Sequence, residues 1–406
     1  MKRILLLLCA LALLLSSLSG CFGTSGGDPA DTSRQADTAN TDPSENPTSG
    51  TETDPPAPSE TRLRFLGAGD NIMHDAIIAD ARARADGAEG YNFRPMYNGI
   101  AYLIENADIA FINQEGPCGG AAYGYHGYPD FNAPDDVRQN LVDMGFDVIN
   151  LANNHMLDCG TNGMIDTIKA FEALPVLTIG GYTQENYDTP RILERDGVKI
   201  AFLSYTTLIN WAHMNDLSAS SGYVIPYAKE DVITKQVQIA KEQADFVVVS
   251  MHWGDEDEFR PNAQQQNLAK LCADLGVDVV VGHHPHVVEP VEWISGANGG
   301  KTLVVYSLGN LINTMYYAQN MVGGMISFDF VKSPSGETSI ENPLFIPTVC
   351  HYSMDRDALQ VYRLEDYTEA LAAQHGTNVH NAFSYAIAEK YITDNISPEF
   401  LPEFLK

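Results

Sequence analysis

The sequence predicts an α/β fold in which alternating strands and helices are followed by a strand-rich region. Two observations support this fold class. Short apolar runs alternate with segments of helical periodicity from residue 62 to residue 306. Beyond that point, strand-like runs follow one another without a helical segment between them, at Met325–Val331, Ser339–Ile346 and Ala358–Arg363. The first region is typical of α/β proteins, and the last two of these runs predict an antiparallel edge.

The individual elements follow from the spacing of apolar residues. Strands are predicted at 62–69, 109–112, 147–151, 176–179, 199–205, 246–250, 279–281 and 302–306. Helices are predicted at 75–84, 96–106, 134–144, 163–174, 229–243, 262–275 and 378–391. The segment Ile209–Tyr227, with Trp211 and His213, is irregular and is a candidate cover for a site. There is no internal repeat and no glycine-rich phosphate loop of the P-loop or dinucleotide type.

The first residues predict a lipoprotein signal peptide, residues 1–20. Lys2 and Arg3 precede an apolar run, Ile4–Leu15, that is short for a membrane span, and the run leads to the sequence Leu-Ser-Gly before Cys21. This pattern resembles a bacterial lipoprotein signal with cleavage before Cys21 and a lipid on its thiol. The alternative is an ordinary secretory signal that a cysteine follows by chance.

Residues 21–61 predict a disordered acidic tether. The segment 23–61 consists mostly of Gly, Ser, Thr, Pro, Asp, Asn and Glu, and no aromatic residue lies between Phe22 and Phe65. Such a chain cannot bury enough apolar area to offset the entropy lost on ordering. We therefore expect one folded domain, residues 62–406, to be held by this tether at the outer, extracytoplasmic face of the cell membrane.

Net charge limits the binding partners of the protein, and the number of cysteines limits its disulfides. The formal net charge is −29, which repels nucleic acid, so an anionic substrate needs local positive charge at its site. Bound metal ions would supply this positive charge. Arg260 either adds to the positive charge around the site or is an ordinary surface cation. Four cysteines remain after Cys9 and Cys21, too few for a disulfide scaffold, although one disulfide between Cys118 and Cys159 is possible.

Polar side chains of the types that bind metals follow five of the predicted strands. Each has an ordinary alternative: Asp70 as a helix cap, Glu115 as a surface carboxylate, Asn154 in a turn and His252 in the core. Because all of them closely follow apolar strands, we expect one edge of the sheet to gather them. The set is Asp70, Asn113, Glu115, Asn154, His155, His252, His284 and His286.

This mixture of carboxylate, amide and imidazole suits two closely spaced divalent ions, such as Mn, Zn or Fe, with a shared carboxylate between them. Such a pair clamps a phosphate-like group and activates water. His155 would then protonate the leaving oxygen. Asp158 would orient that imidazole, or it would cap the following helix.

In their order along the chain, these residues resemble the motifs of the CapA-type, poly-γ-glutamate capsule-synthesis family, which is similar to the calcineurin-like metallophosphoesterases. The resemblance covers about Leu63 to Asn310 and implies a four-layer αββα sandwich. It implies Asp70, Glu115, Asn154, His252, His284 and His286 as metal ligands and His155 as the acid. The motifs are Gly69-Asp70, Asn113-x-Glu115, Ala152-Asn153-Asn154-His155-x-x-Asp158-x-Gly160, His252-Trp253-Gly254, Gly282-His283-His284-Pro285-His286 and Ser307-Leu308-Gly309-Asn310.

Two positions depart from the phosphoesterase pattern. No histidine stands two residues after Asp70, and Glu115 stands where an Asp is usual. His74, four residues after Asp70, is expected to face solvent. His284 and His286 reproduce the His-x-His spacing, so we expect these two to be ligands. His283 is then expected to contact the ligands rather than the metal. We expect Asn113, Asn153 and Asn310 to have the same secondary role as His283 in the site.

The preferred hypothesis is a membrane-tethered, extracytoplasmic hydrolase that uses two divalent ions to cleave a phosphoester or related bond during synthesis or export of an anionic capsular polymer. Amide hydrolysis of a polyglutamate chain is an open variant. The alternative is a non-catalytic, lipid-anchored accessory subunit that holds the polymer near a membrane synthase or export subunit. A solute-capturing lipoprotein would not need metal-ligand residues at five strand ends.

Overall fold

The computed structural model describes residues 59–85, 89–210 and 221–406. The predicted signal peptide, the lipid site at Cys21 and nearly all of the predicted tether lie outside these residues, as do Trp211 and His213. Within the described ranges, no helix combines the length and the apolar character needed to cross a membrane.

The strands of the described residues form two large sheets and one small pair. In chain order they are β1 (Thr61–Ile72), β2 (Ile109–Glu115), β3 (Val148–Asn150), β4 (Leu177–Ile179), β5 (Tyr182–Thr183), β6 (Arg191–Arg195), β7 (Val198–Thr206), β8 (Tyr223–Val224), β9 (Phe246–His252), β10 (Val279–His283), β11 (Val291–Ser295), β12 (Lys301–Val305), β13 (Asn310–Ile312), β14 (Val322–Lys332), β15 (Thr338–His351) and β16 (Gln360–Arg363).

The α-helices of the described residues lie between these strands and at the C-terminus. They are α1 (Asp75–Ala83), α2 (Ala101–Glu105), α3 (Asp136–Met144), α4 (Gly160–Glu172), α5 (Glu230–Lys241), α6 (Ala263–Leu275), α7 (Glu369–Ala373) and α8 (Tyr385–Thr393).

The first sheet has the strand order β16-β15-β14-β1-β2-β3-β4, with β13 also paired to β1. Strands β1 to β4 are parallel to one another, whereas β14, β15 and β16 pair in antiparallel fashion. The predicted antiparallel edge is therefore confirmed. Every residue of β2 is buried, as expected of a central parallel strand that is covered on both faces.

The second sheet has the order β11-β12-β10-β9-β7-β6. Its four central strands, β7, β9, β10 and β12, are parallel, and the edge strands β6 and β11 are antiparallel to their neighbours. The valine-rich runs of β9 and β10 are buried throughout, because this sheet is also covered on both faces.

The two sheets pack face to face through aromatic side chains. The rings of Phe65 and Phe202 are 6.5 Å apart, and those of Phe246 and Phe330 are 4.8 Å apart. Helices α5 and α6 cover the outer face of the second sheet, while α1 to α4 bury their apolar sides against the first. Helices, two sheets and helices thus form the predicted four-layer αββα sandwich, which is confirmed.

Some predicted elements differ in detail. The predicted helix 96–106 is interrupted, because a 3₁₀ turn at Arg94–Tyr97 and helix α2 are separated at Gly99. A side chain at Gly99 would lie 2.4 Å from the carbonyl oxygen of Val361, so β16 passes too close for a continuous helix. The predicted C-terminal helix 378–391 is likewise a 3₁₀ turn followed by α8, which Ser384 caps.

Candidate metal centre

The carboxyl ends of the parallel strands of both sheets meet at one edge of the sandwich. In the first sheet, Asp70 lies opposite Asn113 and Ile72 lies opposite Glu115. In the second sheet, His252 is paired in register with His283. The predicted gathering of strand-end side chains therefore takes place, and all of the predicted ligands are buried.

Asp70 lies fully buried at the centre of this edge. Its carboxylate accepts hydrogen bonds from the Asn113 side-chain amide at 2.7 Å and from the His284 backbone N–H at 3.2 Å. Its oxygens are 3.3 Å from His283 Nδ1 and 3.4 Å from His286 Nδ1. Burial alone would raise the pKa of Asp70, but the two imidazoles outweigh it and hold that pKa well below its usual range.

The loop after β10 carries two histidines in left-handed backbone conformation, His284 with φ 100° and His286 with φ 60°. Such φ values are uncommon outside glycine and persist where surrounding contacts enforce them. One contact is to Asn310, whose Oδ1 lies 3.0 Å from His286 Nδ1 and whose amide donates to the His286 carbonyl at 3.3 Å. Asn310 thereby turns the Nε2 edge of His286 toward Glu115, 3.8 Å away.

Glu115 is the buried group that most clearly lacks a partner. Both of its carboxylate oxygens are inaccessible and have no hydrogen-bond partner among the described residues. Burial raises the pKa of Glu115 well above its ordinary range. Burial lowers the pKa of His286, but the charges of Glu115 and Asp70 outweigh it and raise that pKa to about 10.

Two groups of side chains at this edge have ligand atoms close enough to share an ion. Within each group the atoms lie within 4.8 Å of one another, and Glu115 belongs to both. An unsatisfied buried carboxylate among imidazoles fits a divalent cation, which would neutralise its charge. The groups are Glu115, His284 and His286, and Asp70, Glu115 and His252.

His252 and Asn154 complete the arrangement from opposite sheets. His252 Nε2 lies 2.9 Å from Asn154 Oδ1, and His252 Nδ1 is buried with no hydrogen-bond partner in the part of the chain that the structure describes. Burial and the neighbouring His284 lower the pKa of His252 well below its ordinary range. Burial likewise lowers the pKa of His284 to about 3. Both imidazoles are therefore neutral at physiological pH, which is the form that binds metal.

His155 lies beside the cluster and is oriented by Asp158. His155 Nδ1 is 2.7 Å from Asp158 Oδ2, and that oxygen also accepts the Phe131 backbone N–H at 2.8 Å. The Phe131 ring packs edge-on against the imidazole, 4.7 Å between centroids. Asp158 does not cap α4, whose N-cap residue is Cys159. Of the two roles considered for Asp158, the structure therefore selects orientation of His155.

Three of the residues predicted to have a secondary role contact the candidate ligands or the segments that carry them. Asn113 bridges Asp70 and Asn150. Asn153 binds the backbone at the end of β2, accepting from Gly116 N–H at 3.2 Å and donating to the Gln114 carbonyl at 2.9 Å. His283 is fully buried, and its ring stacks on that of Phe111 at 5.7 Å. It does not belong to either candidate metal group among the described residues.

Most of the folded domain matches a known protein family. The profile of the family described as "Bacterial capsule synthesis protein PGA_cap" matches residues 64–315. That range is more than half of the 406-residue chain. The chain belongs to this family.

Individual relatives agree with this assignment. The chain is 32% identical over 222 residues to the PGA biosynthesis protein CapA of Bacillus subtilis, which covers 54% of this chain and 56% of that protein. It is 36% identical over 189 residues to the capsule biosynthesis protein CapA of Bacillus anthracis, covering 45% of this chain and 43% of that protein. The chain thus spans about half the length of the curated relatives it matches.

Solved structures with a similar arrangement have low sequence identity to this capsule-synthesis family member. The NAD nucleotidase of Haemophilus influenzae is 13% identical, with a TM-score of 0.44 and coverage of 83% of this chain and 60% of that one. A purple acid phosphatase from yellow lupin is 12% identical, with a TM-score of 0.33 and coverage of 70% and 54%.

The candidate metal centre opens into a cleft of about 430 Å³ that contains residues not predicted from the sequence of this family member. His74 lines it and is half-buried. Its Nδ1 accepts the Thr314 backbone N–H at 3.2 Å, and burial lowers its pKa to about 3. Arg356 also lines the cleft. Arg260 does not; it is an exposed surface cation that donates to the Asp394 carbonyl.

Asn210 is a further residue that sequence reasoning missed. Its backbone N–H donates to the Asn154 carbonyl at 2.8 Å, and its side-chain amide lies 3.4 Å from His155 Nδ1. It begins the segment predicted as a candidate cover, of which residues 211–220 lie outside the described part of the chain. The other open possibility, a Cys118–Cys159 disulfide, does not occur here, because both thiols are free.

Proposed function

We propose that this capsule-synthesis family member is a hydrolase that holds two divalent metal ions and cleaves a phosphoester or related bond in material belonging to an anionic capsular polymer of the poly-γ-glutamate type. The observation that carries the proposal is Glu115, a fully buried carboxylate that belongs to both candidate metal groups and whose oxygens have no hydrogen-bond partner among the described residues. A shared carboxylate of this kind would suit two divalent ions, because its negative charge would offset theirs.

The residues divide into ligands and a proton donor. Asp70, Glu115, Asn154, His252, His284 and His286 would hold the ions, which would be Mn, Zn or Fe. When bound, such ions activate water and neutralise charge on a phosphate-like group. His155, which lines the cleft, gives a proton to the leaving oxygen, while Asp158 fixes its ring through Nδ1.

We also propose that the protein is attached to the outer face of the cell membrane. The sequence of residues 1–21 supports lipidation of Cys21 and attachment to the outer face of the cell membrane. The name of one relative supports a role beside a membrane synthase or export complex, since a protein from Mycobacterium tuberculosis, 26% identical over 189 residues, is named a probable polyglutamine synthesis accessory protein. Replacing Cys21 by Ser is expected to move the chain from the membrane fraction to the soluble fraction.

The experiment uses the full-length chain in detergent, loaded separately with Mn, Zn or Fe. Metal bound per chain is measured by mass spectrometry, and turnover is measured with nitrophenyl mono- and diesters of phosphate. We expect metal-dependent turnover, which His155→Gln lowers by about 10²- to 10⁴-fold without changing the metal content. Asp158→Ala is expected to lower turnover in the same way. Metal content at background after loading would remove the basis of the proposal.

The accessory hypothesis has one structural observation in its favour. The position two residues after Asp70 is Ile72, a buried apolar residue that provides no ligand. A polymer-production assay in cells separates the two hypotheses. If production survives His155→Ala but is lost with Cys21→Ser, the chain holds polymer without cleaving it.

A further inference from the structure

The cleft beside the metal cluster has an asymmetric lining. It contains Glu115, His155 and His286, two further carboxylates at Asp75 and Glu256, and a wall of tyrosines with one arginine. Among the described residues that line it, Arg356 is the one with a permanent positive charge. Its volume, about 430 Å³, is larger than a phosphate group alone requires, so a substrate would extend from the metal cluster toward this wall.

A tight turn between β15 and β16 holds Arg356 in place. The Arg356 backbone N–H donates to the Ser353 carbonyl at 2.9 Å, and the Ser353 N–H donates to the Asp357 carbonyl at 2.9 Å. Arg356 itself has φ 60°, a conformation that costs a non-glycine residue free energy. The turn is therefore a defined structure that holds the arginine at the cleft.

The guanidinium group lies over an aromatic ring. Its central carbon lies 4.4 Å from the centroid of the Tyr316 ring. That ring is itself held in place, because His380 packs edge-on against it at 5.4 Å and Asn381 donates to the Tyr316 carbonyl at 3.3 Å. Stacking of this kind leaves the N–H edge of a guanidinium free to bind a planar or tetrahedral oxyanion.

No carboxylate neutralises Arg356 in the described part of the chain. The other arginines of the chain that form ion pairs do so with Asp or Glu at 4.0 Å or less, as Arg363 does with Asp366, but no such pair includes Arg356. The field of Arg356 nevertheless reaches into the cleft, since it contributes to the lowered pKa of His74. In a chain of net charge −29, an arginine without an acidic partner beside an open cleft provides local positive charge for an anionic group.

We propose that Arg356 is a specificity-determining residue that binds a second oxyanion of the substrate, a carboxylate or a phosphate, while the bond to be cleaved lies at the cluster around Glu115. The inference rests on the hydrolase function proposed above. Exposed rings flank the same wall, with Tyr128 71% and Tyr317 55% accessible, and they cover the aliphatic segment between the two anionic groups. The substrate class is thus a compound with two anionic groups joined by a short spacer.

The test measures binding of non-hydrolysable phosphonates to the metal-loaded full-length chain by titration calorimetry. Three compounds share one flexible spacer: pentylphosphonate, its ω-carboxylate counterpart and the ω-bisphosphonate. We expect the second anion to strengthen binding to the unmodified chain, and Arg356→Met to weaken binding of at least one two-anion compound by about ten- to hundredfold. Affinity for pentylphosphonate should remain within about twofold. The compound that responds identifies the second group as carboxylate or phosphate.

Two variants serve as controls. Arg356→Lys keeps the charge but loses the planar guanidinium, so it should recover only part of the affinity. Arg94→Met removes the same charge from an exposed side chain, 58% accessible, that does not line the cleft, and it should leave all affinities unchanged. A thermal melt verifies that each variant is folded.

The outcomes separate this inference from the proposed function. Equal affinity of the unmodified chain for all three compounds, or equal weakening of all three by Arg356→Met, overturns the role of Arg356. If two-anion binding depends on Arg356 while phosphate esters are never cleaved, the binding role stands and the hydrolase proposal fails.

Discussion

Glu115 is the residue whose environment most constrains what the site can hold. A buried carboxylate without a hydrogen-bond partner costs several kcal/mol relative to its hydrated form, and both Glu115 oxygens are in this situation. Burial raises the pKa of Glu115, which means that in the absence of a cation the side chain is driven toward its neutral form. A divalent ion removes this cost and also suits the neutral imidazoles of His252 and His284.

The histidines after β10 are distinguished by their contacts. His284 belongs to a candidate metal group, whereas His283 packs on Phe111 beneath Asp70. We expect His284→Ala to abolish binding at one metal position, whereas His283→Ala should lower the metal affinity by only about ten- to hundredfold, since His283 contacts the ligand Asp70 rather than the ion. Metal titration followed by mass spectrometry measures both.

The control for this comparison is thermal stability, because His283 is fully buried and its removal leaves a cavity. His283→Ala is therefore expected to melt at a lower temperature while it still binds metal. Equal loss of metal affinity in the two variants would show that His283 is a ligand and that the assignment is wrong.

At the scale of elements, the site depends on how closely β10 approaches its neighbours. Gly282 precedes the histidines, and a Cβ at this position would lie 1.8 Å from the Tyr306 carbonyl oxygen and 2.7 Å from Trp253 Nε1. That carbonyl accepts the Trp253 indole N–H at 2.8 Å. The hydrogen bond and the strand spacing leave no volume for a methyl group.

Gly282→Ala is accordingly expected to destabilise the protein by about 3 kcal/mol or more, because backbone atoms must move. It should also lower metal affinity, since the displaced backbone continues into His284. Chemical denaturation and metal titration measure the two effects. Gly336→Ala is the matched control: Gly336 has φ 90° but no heavy atom within 4 Å, so it should cost only about 1 kcal/mol. Similar effects of the two substitutions would contradict the packing argument.

The elements also show what the sequence could predict. Strands buried on both faces, such as β2, β9 and β10, are continuous apolar runs and were predicted, and with them the polar residues at their ends. Edge strands β6 and β11 were missed because their partly exposed residues lack such a run. The break at Gly99 depends on β16, more than 250 residues later in the chain. Arg356 was missed for the same reason, since only tertiary packing brings its turn to the cleft.

At the scale of the whole molecule, the candidate centre joins the two halves of the sandwich. Asp70, Glu115 and Asn154 lie at the ends of strands of the first sheet, whereas His252 and His284 lie at the ends of strands of the second. An ion bound between them cross-links the sheets in the native state only. Its binding free energy therefore adds to the stability of the entire domain rather than to that of one loop.

Removal of metal should consequently lower the melting temperature of the full chain. A ligand at about 1,000 times its dissociation constant stabilises the native state by about 4 kcal/mol, which corresponds to a shift of about 5 °C for a domain of this size. Calorimetric melts before and after treatment with a chelator measure the shift, and re-addition of the metal should restore it. His284→Ala supplies the comparison, because a chain that has lost this ligand should respond much less to the chelator. An unmodified chain whose melting temperature is the same with and without chelator would show that no ion bridges the sheets, and Glu115 would then need a different partner to account for its burial.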